Sequence, residues 1–291
     1  MTDAFRALMS GTIDYAGLFP PAGRPMTDAV QNYALYRAGP HAWMLGRFVV
    51  PVARLEEFVA AFTALPSRGD DSPWLLSVIA KASDAAALAT FNARYGSRTR
   101  IDMVEVSPVR QDDIALLAPL AASYTVFAEV ASADDPAPLI ALIGQDGLGA
   151  KIRTGGVTAE AFPTPDAVAR FIAACSHSKV RFKATAGLHH LVRAEYPLTY
   201  EPGCARATMY GFMNMLAASA AATAGAAPAE LGAILSERST TAITFDTGGM
   251  RVGTRVIAIG EIVAARASGM ASFGSCSFEE PVTELTDRGF L

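Results

Sequence analysis

The strongest constraint in this chain is an alternation: short runs that are apolar almost throughout, each followed by a longer stretch with helical spacing. The runs are 12–19 (TIDYAGLF), 43–50 (WMLGRFVV), 74–80 (WLLSVIA) and 101–106 (IDMVEV). They continue with 125–130 (TVFAEV), 148–154 (LGAKIRT), 180–185 (VRFKAT) and 270–274 (MASFG). Between them the spacing predicts helices over 26–37, 55–64, 84–95, 112–122, 136–145 and 164–175. Strands apolar on both faces need helices on both faces, which means a parallel sheet. Eight strands of this kind in about 250 residues predict an α/β fold, a closed (β/α)8 TIM barrel. The competing open doubly wound sheet lacks its signature, since no GxGxxG turn follows the first run.

One interval breaks the rhythm. Between the last two runs lie an Ala-rich helix at 210–224, a second helix opened by Pro228, and the segment 242–252 (AITFDTGGMRV), part of which could be a strand. This is too long for a βα loop. The expectation is a single domain over 1–291 with a helical insertion at 191–265 near the barrel mouth.

Composition excludes several classes. With 51% apolar and 18% charged residues the chain is neither disordered nor fibrous. A net charge of −4 gives no basic footprint, so neither nucleic acid nor an anionic membrane is an expected partner. The three cysteines have no metal-ligand spacing and an odd count, and no stretch reads as a membrane span or a leader. The expected setting is reduced and cytoplasmic, and the apolar 210–224 helix leaves homo-oligomerisation open.

Of the 24 basic residues only four are lysines: Lys81, Lys151, Lys179 and Lys183. Two of the four fall inside apolar strands, where an unpaired ammonium is expensive. Other ionisable groups sit in strands too: Asp14, Asp102 and Glu129. Period-two alternation puts Lys151 and Arg153 on one face, and Lys183 and Thr185 on one face. It sends Glu105 to the face opposite Asp102, into the helix layer or a salt bridge. A structural explanation pairs Lys151 with Glu129 and Lys183 with Asp102. Arginine would serve such pairs as well or better. A nucleophilic amine is the other explanation: an imine-forming lysine needs a desolvated site, and a neighbouring cation helps to free its lone pair.

The residues in register then resemble a known family. Ile13-Asp14-Tyr15 with LFPPA, RFVVPVAR at 47–54, IDMV at 101–104, VFAEV at 126–130, KIRTG at 151–155, FKATAG at 182–187 and FGSCS at 273–277 are similar, in order, to the motifs of the deoxyribose-phosphate aldolases. That resemblance implies a class I aldolase, a lyase that makes or breaks a C–C bond through a lysine imine and an enamine, with no metal or cofactor. It implies Lys151 as nucleophile, Lys183 as the cation that perturbs it, and Asp102 as the proton-relay acid/base. Departures sit at the phosphate end: Gly187-Leu188-His189-His190 stands where the family has a glycine pair and an arginine, and Arg153 replaces a small residue. The expected partner is therefore a small-molecule carbonyl compound, carboxylate-bearing or unphosphorylated, with Arg153 as its anion partner. Asp14 and Glu129 are the expected strand-borne contacts. Thr154, Gly155, Gly187, His189 and Ser275 are expected around the substrate at the strand ends. A metal-assisted lyase using His189, His190 and a carboxylate such as Asp246, and a non-catalytic metabolite-binding barrel, are the alternatives.

Overall fold

The computed structural model describes residues 1–66, 72–131 and 135–291. Eight parallel strands close into a barrel: β1 (Ile13–Tyr15), β2 (Leu45–Pro51), β3 (Trp74–Ile79), β4 (Thr99–Val106), β5 (Thr125–Glu129), β6 (Gly149–Arg153), β7 (Phe182–Thr185) and, last in sequence, Met270–Ser275, which pairs with both β7 and β1. The architecture is the (β/α)8 barrel that the alternation predicts. The short helix α1 (Asp3–Met9) precedes β1. The outer layer then runs through α2 (Met26–Ala38), α3 (Leu55–Thr63), α4 (Ala85–Tyr95), α5 (Gln111–Ala121), α6 (Ala137–Gln145) and α7 (Pro165–His177). Each lies within two residues of its expected bounds, because start signals were explicit. In α7, for example, Thr164 caps the helix by accepting from the Ala167 amide and Pro165 takes the first turn.

The interval between β7 and the last barrel strand is not purely helical, which corrects the expected helical insertion. It holds a hairpin, β8 (Ala194–Pro197) with β9 (Arg206–Met209), then α8 (Phe212–Thr223) and α9 (Pro228–Ser236). A three-stranded antiparallel sheet follows, β10 (Ile243–Phe245), β11 (Gly249–Val252) and β12 (Arg255–Ala258), and then α10 (Ile259–Ser268). The last barrel strand is β13, followed by α11 (Glu279–Asp287). Residues 212–222 are all buried, because α7, α9, α10 and β13 surround α8. The alanine-rich helix thus belongs to the outer layer and covers no opening. Its one buried amide, Asn214, donates to the Ile234 and Glu237 carbonyls and accepts from the Arg193 amide. The three-stranded sheet packs on α1 and α10. Among the described residues no helix is long and apolar enough to cross a membrane.

The barrel sheet has three register breaks, one of them between β1 and β2, and the break on β4 decides what faces the barrel axis there. Leu76 pairs with Ile101 but Ser77 pairs with Met103, so Asp102 is the extra residue of a bulge. Met270 pairs with Phe182 but Ser272 with Lys183, a second irregularity on β13. After the break on β4 Met103 and Glu105, not Val104, point inward. Strict alternation from Asp102 therefore gives Glu105 the wrong face.

Candidate active site

Lys183 lies on β7 at the register position of Lys151 on β6, which in turn faces Glu129 on β5. With side chains pointing into the barrel, both ammoniums and three carboxylates meet on its axis. Lys183 Nζ is 2.6 Å from Asp14 Oδ2 and 2.6 Å from Glu105 Oε1, and is fully buried. Lys151 Nζ is 2.9 Å from Glu129 Oε2 and 3.4 Å from Glu105 Oε2. Glu105 is thus shared by the two lysines, and it also accepts from Ser77 Oγ at 2.7 Å. Asp14 is anchored by Ser272 Oγ at 2.6 Å and the Arg47 amide at 2.6 Å.

The charges perturb one another in a readable order. Burial alone would raise the Glu105 carboxyl, but the Lys183 and Lys151 ammoniums outweigh it and hold the group at about 2. Burial works against the Lys183 ammonium, yet Asp14 and Glu105 overcome it and leave its pKa raised. Lys183 is therefore a fixed cation whose charge is matched by two carboxylates. Its push on Lys151, expected from the sequence, is offset to that extent.

Asp102 is not among these groups. Its carboxylate is bidentate on Arg47, at 2.8 and 2.7 Å, with about a quarter of the side chain exposed. The carboxylate that β4 sends among the buried lysines is Glu105, three residues on from Asp102, because the bulge shifts the phase. Glu105 is a residue the sequence reading missed; an acid inside IDMVEV was the visible signal, and the bulge that turns it inward was not.

A cavity of about 310 Å³ opens above the cluster, with Lys151, Lys183, Glu105, Arg153, Thr185 and His189 in its lining. Apolar walls come from Phe19, Val49, Ile79 and Val157. Arg153 stands at the rim, more than half exposed and 3.8 Å from Glu129. A second cavity of about 530 Å³ lies outside the first, between the barrel mouth and the loop that joins β8 to β9. Pro20, Gly156, Ala186 and His189 belong to both, so the two form one path from the hairpin to Lys151.

The remaining sequence candidates fall behind this surface. Thr154 donates its hydroxyl to the Ala186 carbonyl at 2.7 Å and stitches the exits of β6 and β7. Gly155 and Gly187 pack against each other and the Phe162 ring; only Gly187, at φ +73°, reaches a cavity, the outer one. Ser275 Oγ donates to the Ser277 carbonyl at 2.6 Å and lies 3.2 Å from His189 Nδ1. Glu280 approaches the same nitrogen at 3.8 Å, so Ser275, His189 and Glu280 do not form a relay through both ring nitrogens. His190 turns away to Glu284 on α11 at 2.6 Å and stacks on Tyr196. Asp246 accepts from the Gly248 and Gly249 amides in the β10–β11 turn. Among the described residues no group of three or more His, Cys, Asp or Glu is placed to hold a metal ion. Two further lining residues are Thr185, on the face it shares with Lys183, and Cys276, inside the FGSCS motif.

Comparison with protein-family models, curated proteins and solved structures returned no match.

Proposed function

We propose that this protein is a cofactor-independent lyase of the class I aldolase type, in which Lys151 condenses with a short aldehyde or ketone. The observation that carries it is the pair of inward-facing lysines, buried side by side on adjacent strands beneath one cavity and sharing Glu105. Between the two, Lys183 is pinned as an ammonium by contacts of 2.6 Å on two sides. Lys151 is left for chemistry. Before it attacks it must shed a proton, and Glu129 at 2.9 Å and Glu105 at 3.4 Å are within reach to take it. Attack on the carbonyl and loss of water give an iminium, a cation that forms among three carboxylates and one fixed ammonium. That field favours it. The bond between the α and β carbons then breaks: its electron pair forms the enamine and neutralises the iminium nitrogen, while the hydroxyl on the β carbon gives up its proton and becomes the C=O of the leaving fragment. Proton transfer falls to Glu129, in contact with Lys151, in place of the Asp102 of the family resemblance, while Glu105 stays ionised and holds the field.

A cavity of about 310 Å³ is at the small end of the roughly 300–1,000 Å³ range of small-molecule sites, which favours a short substrate. Arg153 at the rim suits a carboxylate at its far end. The five charges also satisfy one another, which favours a second reading, a structural ion network in a non-catalytic barrel.

Borohydride reduction in the presence of short aldehydes and ketones, followed by peptide mass mapping, separates the two. The expected result is a stable adduct on Lys151 that disappears in Lys151→Arg while the circular dichroism spectrum is unchanged. An adduct on another lysine, no adduct with any carbonyl, or turnover by Lys151→Arg refutes the proposal.

A further inference from the structure

Three glycines fall inside barrel strands: Gly46 on β2, Gly149 on β6 and Gly274 on β13. A glycine within a strand forfeits packing and costs chain entropy, so each needs a reason. For the first two the reason is a neighbour. An added Cβ would meet Asp14 Oδ1 at 2.2 Å at Gly46, and the Phe127 ring at 2.6 Å at Gly149. Gly274 has no such neighbour. Among the described residues, and its chain neighbours aside, the one atom within 4 Å of its Cβ position is Thr185 Cγ2, at 3.9 Å. Its φ lies outside the left-handed region that favours glycine. Neither crowding nor backbone conformation accounts for it.

The position nevertheless faces the barrel interior. Phe273 stacks on Phe212 of α8, on the helix side of β13, whereas Ser272 reaches Asp14 on the axis. Alternation therefore returns Gly274 to the inner face. It is buried, stands two residues beyond Ser272, the register partner of Lys183, and lines the same cavity as Lys151. Inward positions of such a barrel ordinarily hold branched side chains, as Val49 and Ile79 do in this cavity. Ala16, just past β1 on the next strand, is small as well and lines the cavity too. The cavity thus has a recess on its β13 side, across β7 from Lys151.

We propose that this recess takes a methyl group on the carbonyl carbon, so that Gly274 sets the substrate class as short methyl ketones. This rests on the reading of Lys151 as the imine-forming lysine. Two directions lead away from the amine: along its own strand to Arg153, and across β7 to Gly274. An aldehyde has a carbon substituent for one of them and a hydrogen for the other. A ketone occupies both. Condensation with the neutral amine takes up one proton and releases the carbonyl oxygen as water. The iminium carbon that remains carries its methyl group against Gly274 and its second substituent toward Arg153.

Gly274→Ala puts a methyl group of the protein where the methyl group of the ketone would lie. The test is borohydride trapping with acetaldehyde and with acetone, in wild type and in Gly274→Ala, with the adducts on Lys151 measured by peptide mass mapping. Wild type gives the ethyl adduct from acetaldehyde and the isopropyl adduct from acetone. In Gly274→Ala the ratio of ethyl to isopropyl adduct rises about 10-fold or more, the discrimination that one methyl group allows in a fitted pocket. The melting temperature does not fall, because the added Cβ enters free space. A wild type that traps acetaldehyde but not acetone, an unchanged ratio in the variant, or a lower melting temperature overturns the assignment. A wild type that forms an adduct with neither compound, or forms it on another lysine, refutes the Lys151 reading itself.

Discussion

Replacing Glu105 by glutamine removes the one carboxylate that both lysines share, and the structure fixes what this costs. In the folded protein Glu105 titrates at about 2, against an ordinary value of 4.5. Each unit of that difference is worth about 1.4 kcal/mol, so ionised Glu105 contributes about 3 kcal/mol of stability at neutral pH. The sign follows from the direction. A carboxyl depressed on folding stabilises above its unfolded value and loses that contribution as the pH falls through its folded value. Urea unfolding of wild type and Glu105→Gln at pH 7 should therefore differ by about 3 kcal/mol. The gap should begin to close below about pH 4.5 and be nearly gone by about pH 2, where the wild-type group is protonated as well. A difference under about 1 kcal/mol at pH 7, or one that does not vary with pH, would show that Glu105 is not held ionised between Lys151 and Lys183. The glutamine variant also removes a negative charge that would favour the iminium, so its yield of trapped imine should fall with its stability.

Gly46 is bare because the Asp14 carboxylate lies against it: an added Cβ would meet Asp14 Oδ1 at 2.2 Å. Gly46→Ala should destabilise by about 1–3 kcal/mol in urea unfolding and, by displacing Asp14, loosen Lys183; a neutral effect would mean the strand yields freely. Asp102→Asn should lose about 1–2 kcal/mol from the Arg47 pair with turnover within about threefold, and a thousandfold loss of turnover would restore Asp102 to the site. The His189 ring signals should show no titration in NMR until the pH nears 4, and a midpoint near 6.5 would mean an open, hydrated ring.

The repeat of apolar run and helix was legible from end to end, because a strand covered on both sides admits little but aliphatic and aromatic side chains. Helix boundaries were legible for the same kind of reason, as with Thr164-Pro165 at the start of α7. The rarity of lysine singled out Lys151 and Lys183, and alternation gave each a face; that both faces turn inward, side by side, came from the closed sheet. The Lys151–Glu129 contact was likewise readable as neighbouring strands.

What the chain alone could not specify were departures from regularity and contacts between distant segments. The bulge at Asp102 is set by how β3 and β4 mate in a closed, tilted barrel, and no local pattern announces it. It put Glu105 between the two lysines and left Asp102 on Arg47. The partners of Lys183 come from β1 and β4, 169 and 78 residues away in sequence. Likewise, the His189 ring meets at Nδ1 a hydroxyl 86 residues further on. Side-chain periodicity belongs to each strand by itself, so the amino-acid order determined the barrel and its lysines; the identity of the charge facing each lysine depends on register around the closed sheet, and only the folded chain decides that.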